Sequence, residues 1–285
     1  CMKEIKDFTN SIWLLGVGES LLHHKDQVEK LDDHITIGFH KFFPYCLEHL
    51  NFTPTYWTWF DPNAAMPGLN YLLAQKNIPI DMTIIVPYSY TFPLGKVLKH
   101  TNLSKRKDFP PQAYEDYYVK LNALRDRGMK IYPLNTVSNF YLKMEYDRLL
   151  SSVTHDERFY QNKMICGTTQ DAMSKPVESK LTYYIFPLIQ YMKINNAFVL
   201  GFDGQGGRFY NLEQKVTAGH NLQYTPYWNE WFQEFDIRAY SVADPMYTNL
   251  GSHIEYMDIE KAVNLTKFAN IEDRNKQIIN LNNIV

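Results

Sequence analysis

The sequence predicts an α/β fold with a mostly parallel sheet flanked by helices. Three observations carry this: short, continuous apolar runs bounded by Gly, Pro or Asp, helix-length stretches between them, and the absence of any internal repeat or linker. A chain of 285 residues, 45% of them hydrophobic, has ample material for one core, since a chain of about 300 residues buries about 75% of its unfolded surface. A single domain spanning 1–285 is therefore expected.

The elements follow in order. Ser11-Ile-Trp-Leu-Leu15 reads as a buried strand running into the turn Gly16-Val-Gly-Glu-Ser20, with a helix-compatible segment to about Leu31. His34–Gly38 and Thr55–Phe60 read as the second and third strands, and Met82–Val86, stopped by Pro87, as the fourth. Residues 88–128 read as an insertion, a loop to about Phe109 and then a helix from Pro110 that stops at Gly128. Lys130–Leu134 is strand-like, with a helix following to Leu150. Ser179–Asn195 reads as a long helix, Ala197–Phe202 as a buried strand, and residues 204–220 as a glycine-rich, mobile lid loop. Trp228–Phe235 is helical, Ile237–Ser241 a last strand, and Ile254 onward a helical tail. This alternation is Rossmann-like.

Charge and composition narrow the function. With 29 basic and 31 acidic side chains the formal charge is −2, so a nucleic-acid surface, which needs a basic field, is not expected. Three cysteines without a CxxC pair read as reduced, intracellular thiols. Met2 reads as the natural start, with Cys1 as an added residue, and no charged leader with an apolar run follows. A cytoplasmic protein is the expectation. Aromatic residues reach 15%, which suits either an amphipathic core or a surface that stacks on sugars and bases. Tyr56, Trp57, Trp59, Phe60, Phe209, Tyr210 and Tyr224, at strand ends or in the lid, are candidates to shape a cleft.

Three segments offer chemistry. Gly16-Val17-Gly18-Glu-Ser20 sits at the carboxyl end of the first strand, where doubly wound sheets bind ligands and where glycines let backbone approach a phosphate or ribose. The same residues also suit a plain turn in which Ser20 caps the helix. His40 and Asp61 follow the second and third strands and are expected at the same edge; an aromatic-cluster histidine and a turn-forming Asp-Pro are their structural alternatives. The segment from Gly201 to His220 joins mobile glycines to Asp203, Arg208, Tyr210 and His220, groups able to orient, neutralise phosphate, donate a hydrogen bond and accept a proton. There is no HExxH, no Cys/His tetrad and no GxSxG elbow, so neither a metal centre nor a serine hydrolase is expected.

In order and spacing these segments resemble the bacterial CMP-sialic acid sialyltransferases of glycosyltransferase family 42. The family's opening Gly-x-Gly-x-Ser-Leu is matched by Gly16–Leu21, its second strand end by Gly38-Phe-His40, its aromatic-Asn-Pro by Phe60-Asp61-Pro62, its Gly-Ile-Asp strand end by Gly201-Phe-Asp203, and its Gly-His-Ser by Gly219-His220-Asn221. The resemblance implies a GT-A-variant fold and a metal-independent transfer of a sialic acid-like sugar from a CMP donor to an oligosaccharide or glycolipid hydroxyl, with no cofactor beyond the donor. It implies His220 as general base, with Tyr210 and Arg208 at the departing phosphate; under the related CMP-ulosonate transferase alternative, including a β-Kdo transferase, Asp203 is the candidate nucleophile or positioning group. It further implies Gly16, Val17, Gly18, Ser20, His40, Asp61, Ser179 and Gly201 around donor and nucleotide. Peripheral association with the inner face of a membrane and a homo-oligomer fit the same reading. Val17, His40 and Asp61 stand where the family has asparagines, which points to related donors such as CMP-Kdo or CMP-pseudaminate as alternatives. A non-catalytic nucleotide- or glycan-binding module is the alternative of another class, and a metal-dependent pterin pyrophosphokinase a third.

Overall fold

The computed structural model describes residues 8, 10–59, 62–76, 81–87, 111–134, 188–189, 192–203, 206–213, 232–233, 236–248, 253–268 and 272–276. It is an α/β protein whose contacts group it into two compact units, Cys1–Gly38 with Tyr45–Thr55 and Leu188–Val285, and Phe39–Pro44 with Tyr56–Pro187.

The first unit contains β1 (Ser11–Leu15), the short helices α1 (Ser20–His23) and α2 (Lys25–Val28), a 3-10 turn at Glu29–Asp33 and the beginning of β2 (Thr36–Phe39). Later in the chain it adds β6 (Asn196–Leu200), β7 (Arg238–Ser241), β8 (Glu255–Tyr256) and the helix α6 (Ile259–Thr266). Its strands lie in the order β2-β1-β6-β7-β8, all parallel. Both β1 and β6 are buried at every position, as expected of parallel strands covered on both faces. Their register sets Trp13 beside Phe198 and Phe198 beside Tyr240. The rings stack across the sheet, with centroids 5.2 Å apart in each pair.

The helix α6 begins on Asp258, whose side chain accepts from the Lys261 N–H at 2.9 Å. The Trp13 indole donates to Thr266 Oγ1 at 3.1 Å, and that hydroxyl donates to the Ala262 carbonyl at 2.9 Å. His34 Nε2 lies 3.1 Å from the Val263 carbonyl, a contact that requires the proton on Nε2. Its Nδ1 is buried with no hydrogen-bond partner among the described residues. Burial holds the His34 pKa below its ordinary value despite that bond, so the ring packs in its neutral form.

The second unit carries β3 (Tyr56–Thr58), the helix α4 (Pro62–Ala74), β4 (Thr83–Pro87), the helix α5 (Pro111–Asp126) and β5 (Lys130–Leu134). Strands β3, β4 and β5 are parallel neighbours in that order. The expected stop of α5 is met: Gly128 has φ +89° and the Met129 N–H donates to the Leu124 carbonyl at 3.0 Å, a glycine C-terminal motif. Arg127 donates to the carbonyls of Leu72, Leu73 and Gln75 at the end of α4.

Helix α3 (Phe42–Leu50) bends at Phe43, whose ψ is 136°, and the Phe43–Pro44 peptide is cis. Trp57 and Trp59 are fully buried and Tyr56 nearly so; they belong to the core, where a cleft-lining role is expected from the sequence. Trp57 leans on Phe43, its indole donates to the His40 carbonyl at 2.8 Å, and the Trp59 indole donates to the Tyr117 hydroxyl at 3.2 Å. A Cβ on Gly68 would run into the Trp57 ring and come within 3.0 Å of the Phe43 carbonyl oxygen. Gly68→Ala is expected to lower stability by about 2 kcal/mol through overpacking, read from the urea midpoint at unchanged m-value.

Three expectations need correction. The segment after the glycine turn is two short helices and a 3-10 turn rather than one helix, because Leu21, Val28 and Leu31 are buried without a sustained helical stripe. The region from Ile254 begins with β8, paired with β7 at Tyr240↔Glu255 and Ser241↔Tyr256, before any helix. A two-residue pairing is too short to show period-2 alternation. The remaining strands match the sequence expectation within one or two residues at each end, except β3, which stops at Thr58. The expected helix at 135–150 lies outside the described residues; of the expected helix Ser179–Asn195 the described residues are Leu188 and Ile189, which are helical, and 192–195, which are a turn and irregular chain leading into β6. Among the described residues no helix is long and apolar enough to cross a membrane.

Candidate functional site

The first unit changes direction between β1 and β6. From β1 the chain moves to β2 on one side, whereas β6, β7 and β8 build outward on the other. In open α/β sheets this reversal leaves a crevice at the carboxyl ends of the two strands, and ligands bind there. The glycine turn leaves β1 and the Gly201-Phe202-Asp203 segment leaves β6 at that edge.

Close backbone approach accounts for the glycines. Past the strand ends the Gly16 N–H donates to the Leu200 carbonyl at 2.8 Å and the Gly18 N–H to the Gly201 carbonyl at 2.7 Å. A Cβ on Gly16 would collide with the Gly201 carbonyl, and one on Gly18 with the Asp203 carboxylate. Gly201 itself has φ +77°, a region that L side chains adopt at a cost.

Asp203 closes the turn. It is 2% exposed; its Oδ2 accepts from the Ser20 N–H at 2.8 Å and its Oδ1 from the Ser20 hydroxyl at 2.5 Å. The Ser20 Oγ in turn accepts from the Gly201 N–H at 3.2 Å. Ser20 therefore ties β1 to β6; it is the first residue of α1, whose N-cap position falls on Glu19 instead, with no side-chain capping bond. Burial raises the Asp203 pKa to about 6, against the pull of the two Ser20 hydrogen bonds.

The glycine-rich segment folds back over this turn. Arg208 forms an antiparallel bridge with Gly18, the Phe209 N–H donates to the Val17 carbonyl at 3.1 Å, and Arg208 and Asn211 exchange backbone hydrogen bonds of 3.2 and 2.9 Å. Phe209 is buried edge-on to His49, and Tyr210 stacks on Tyr45 at 4.5 Å with 16° between the ring planes. Burial raises the Tyr210 pKa, and the Arg208 charge opposes that rise. The phenol thus remains a hydrogen-bond donor with a guanidinium in electrostatic range. The described part of the expected lid is docked on the glycine turn.

Glu19, between the turn's second glycine and Ser20, engages the same segment. Its Oε2 accepts from the Gly207 N–H at 3.0 Å, and its Oε1 lies 3.6 Å from His23 Nε2. The His23 ring stacks on Tyr247 at 3.8 Å.

The fold accordingly brings together Gly16, Val17, Gly18, Ser20, Gly201, Asp203, Arg208 and Tyr210 from the sequence-derived set. His40 belongs to the other unit, at φ +53°, with its N–H donating to the Thr58 carbonyl. Asp61, Ser179 and His220 lie outside the described residues. Sequence reasoning missed Glu19, His23, Tyr45 and Tyr247. Only Glu19 carried a local signal, as a charged residue inside a glycine turn. Among the described residues no three His, Cys, Asp or Glu side chains are grouped to hold a metal ion.

No family model, curated protein or solved structure matches the chain. The site's chemistry therefore rests on its own geometry.

Proposed function

We propose that the protein is a metal-independent glycosyltransferase that moves an acidic keto-sugar from a CMP donor to a carbohydrate hydroxyl. One observation carries the reading: at the chain reversal between β1 and β6, a glycine turn closed by Ser20–Asp203 is overlaid by a segment presenting Arg208 and Tyr210. A single cation and a protonated phenol suit one phosphate monoanion, the group a CMP-sugar releases.

In this reaction the bond between the anomeric carbon and the phosphate oxygen breaks, and the acceptor oxygen bonds to that carbon. Arg208 offsets the charge gathering on CMP and the Tyr210 hydroxyl donates to it, a contribution that strengthens as charge develops. The acceptor proton passes to His220, since imidazole is the side chain suited to accept a proton near neutral pH. Asp203, with both oxygens occupied by Ser20, serves as a positioning group that holds the turn. The acceptor in this reading is an oligosaccharide or glycolipid.

A thermal-shift panel of CMP, UMP, GDP and ADP tests the donor. CMP is expected to stabilise selectively, by about 2.7 kcal/mol at 100 times its Kd; a shift with another nucleotide and none with CMP would overturn the assignment. Folded His220→Ala is expected to lose transfer by about 100-fold or more, with wild-type transfer persisting in EDTA. Slow hydrolysis of a CMP-sugar without acceptor separates an enzyme from a binding module.

A further inference from the structure

Glu19 does something unusual for a residue in a phosphate-type turn. Its carboxylate sits on a backbone N–H of the glycine-rich loop, where an anion would bind. Gly206 has φ +75°, and a Cβ there would lie 2.9 Å from Glu19 Oε2. The next N–H, that of Gly207, donates to that oxygen at 3.0 Å, and the following residue is the half-buried Arg208, bridged to Gly18. Backbone N–H groups beside a left-handed residue form concavities that bind anions; here the Gly207 N–H takes that role, while the Arg208 N–H donates to the Asn211 carbonyl at 3.2 Å. Gly207 itself is buried, and a Cβ on it would press on the Leu212 backbone at 2.7 Å, so Gly206 is required by its approach to Glu19 and Gly207 by its approach to Leu212.

We propose that the Gly206-Gly207 backbone, through the Gly207 N–H, is an anion site that Glu19 fills with its own carboxylate, and that an incoming phosphate displaces it. Glu19 has somewhere to go, because His23 Nε2 lies 3.6 Å from its second oxygen and is held by stacking on Tyr247. The site rests on the proposed function for the identity of the anion, a donor phosphate. Its physical content is separate: a built-in competitor weakens anion binding and ties loop geometry to occupancy. Glu19 is a positioning residue here, and the loop N–H makes the contact.

Calorimetric titration of the full chain with inorganic pyrophosphate tests this without any nucleotide. Glu19→Gln keeps the shape and removes the charge, and is expected to bind pyrophosphate about tenfold more tightly than wild type, the factor that about 1.4 kcal/mol represents. Glu19→Asp retains charge but falls short of Gly207, and is expected to shift in the same direction; it replaces Glu19→Gln if circular dichroism shows that variant unfolded. Arg208→Gln is expected to lose the binding. Equal or weaker binding by the Glu19 variants, or no pyrophosphate binding by any form, overturns the site. If pyrophosphate follows the expected pattern while CMP gives no thermal shift, the anion site stands and the CMP donor falls. CMP binding without any gain in the Glu19 variants overturns the anion site alone.

Discussion

Gly16→Ala is expected to cost about 3 kcal/mol of folding stability, at the upper end of what an overpacked methyl group imposes. The new Cβ would be driven into the carbonyl group of Gly201, and its third-nearest neighbour is the Phe202 ring at 3.0 Å. A flexible side chain could swing aside, but a backbone carbonyl cannot do so cheaply. It accepts the Gly18 N–H at 2.7 Å, and the adjoining Leu200 carbonyl accepts the Gly16 N–H at 2.8 Å. Gly201 is itself closely packed: a Cβ there would lie 2.9 Å from Leu21 Cδ1 and 3.1 Å from the Gly16 carbonyl carbon. Separating the two segments would also lengthen the Ser20–Asp203 bonds. Urea denaturation monitored by tryptophan fluorescence provides the measurement. Gly128→Ala is the control: its φ is +89° but a Cβ there meets nothing within 4 Å, so only the cost of the left-handed backbone remains, about 1–2 kcal/mol. A Gly16→Ala loss under about 1 kcal/mol would show that β1 and β6 do not approach as closely as described.

Asp203→Asn is expected to change how stability depends on pH. The folded-state pKa of about 6 lies above the ordinary 3.8, so the native protein binds this proton more tightly than the unfolded chain. Stability from this group therefore rises as pH falls through about 6 and is fully gained below 3.8, a change of about 3 kcal/mol at 1.36 kcal/mol per unit. His34 works in the opposite sense. Its pKa is lowered from 6.5 by burial, so stability is lost as pH falls below that value, and the wild-type profile alone mixes the two. The difference between wild type and Asp203→Asn isolates the carboxyl: the wild type should gain about 3 kcal/mol relative to the variant between about pH 7.5 and 3. Parallel profiles would show that Asp203 is not buried as a carboxylate. Asp203→Ala should be more damaging at every pH, since the Ser20 N–H and hydroxyl then lose a buried acceptor, at about 1–3 kcal/mol for each group left unsatisfied.

Local pattern reveals some features of this protein and conceals others. Ser11–Leu15 and Asn196–Leu200 are legible as strands because parallel strands buried on both faces leave continuous apolar runs. Gly128 is legible as a helix stop because only a residue tolerant of positive φ suits that position. The aromatic residues of 56–59 are not legible in the same way. Ring content signals either a stacking surface or a core, and the contacts of Trp57 with Phe43, Gly68 and the His40 carbonyl decide for the core.

The 15% of aromatic residues, the near-neutral charge, the strand-glycine-helix order and the positions of Gly16, Gly18, Gly201, Arg208 and Tyr210 are properties of the chain itself. They suffice for an α/β class and for a candidate edge, because periodicity and turn chemistry act over a few residues. What occupies that edge is a matter of tertiary structure. Ser20 and Asp203 are 183 residues apart, and Glu19 and Gly207 188. These pairs meet because β6 inserts beside β1 while β2 takes the other side. Strand order is set by packing of the whole unit, so no local spacing could announce that one carboxylate locks the turn and another sits in the place of an anion.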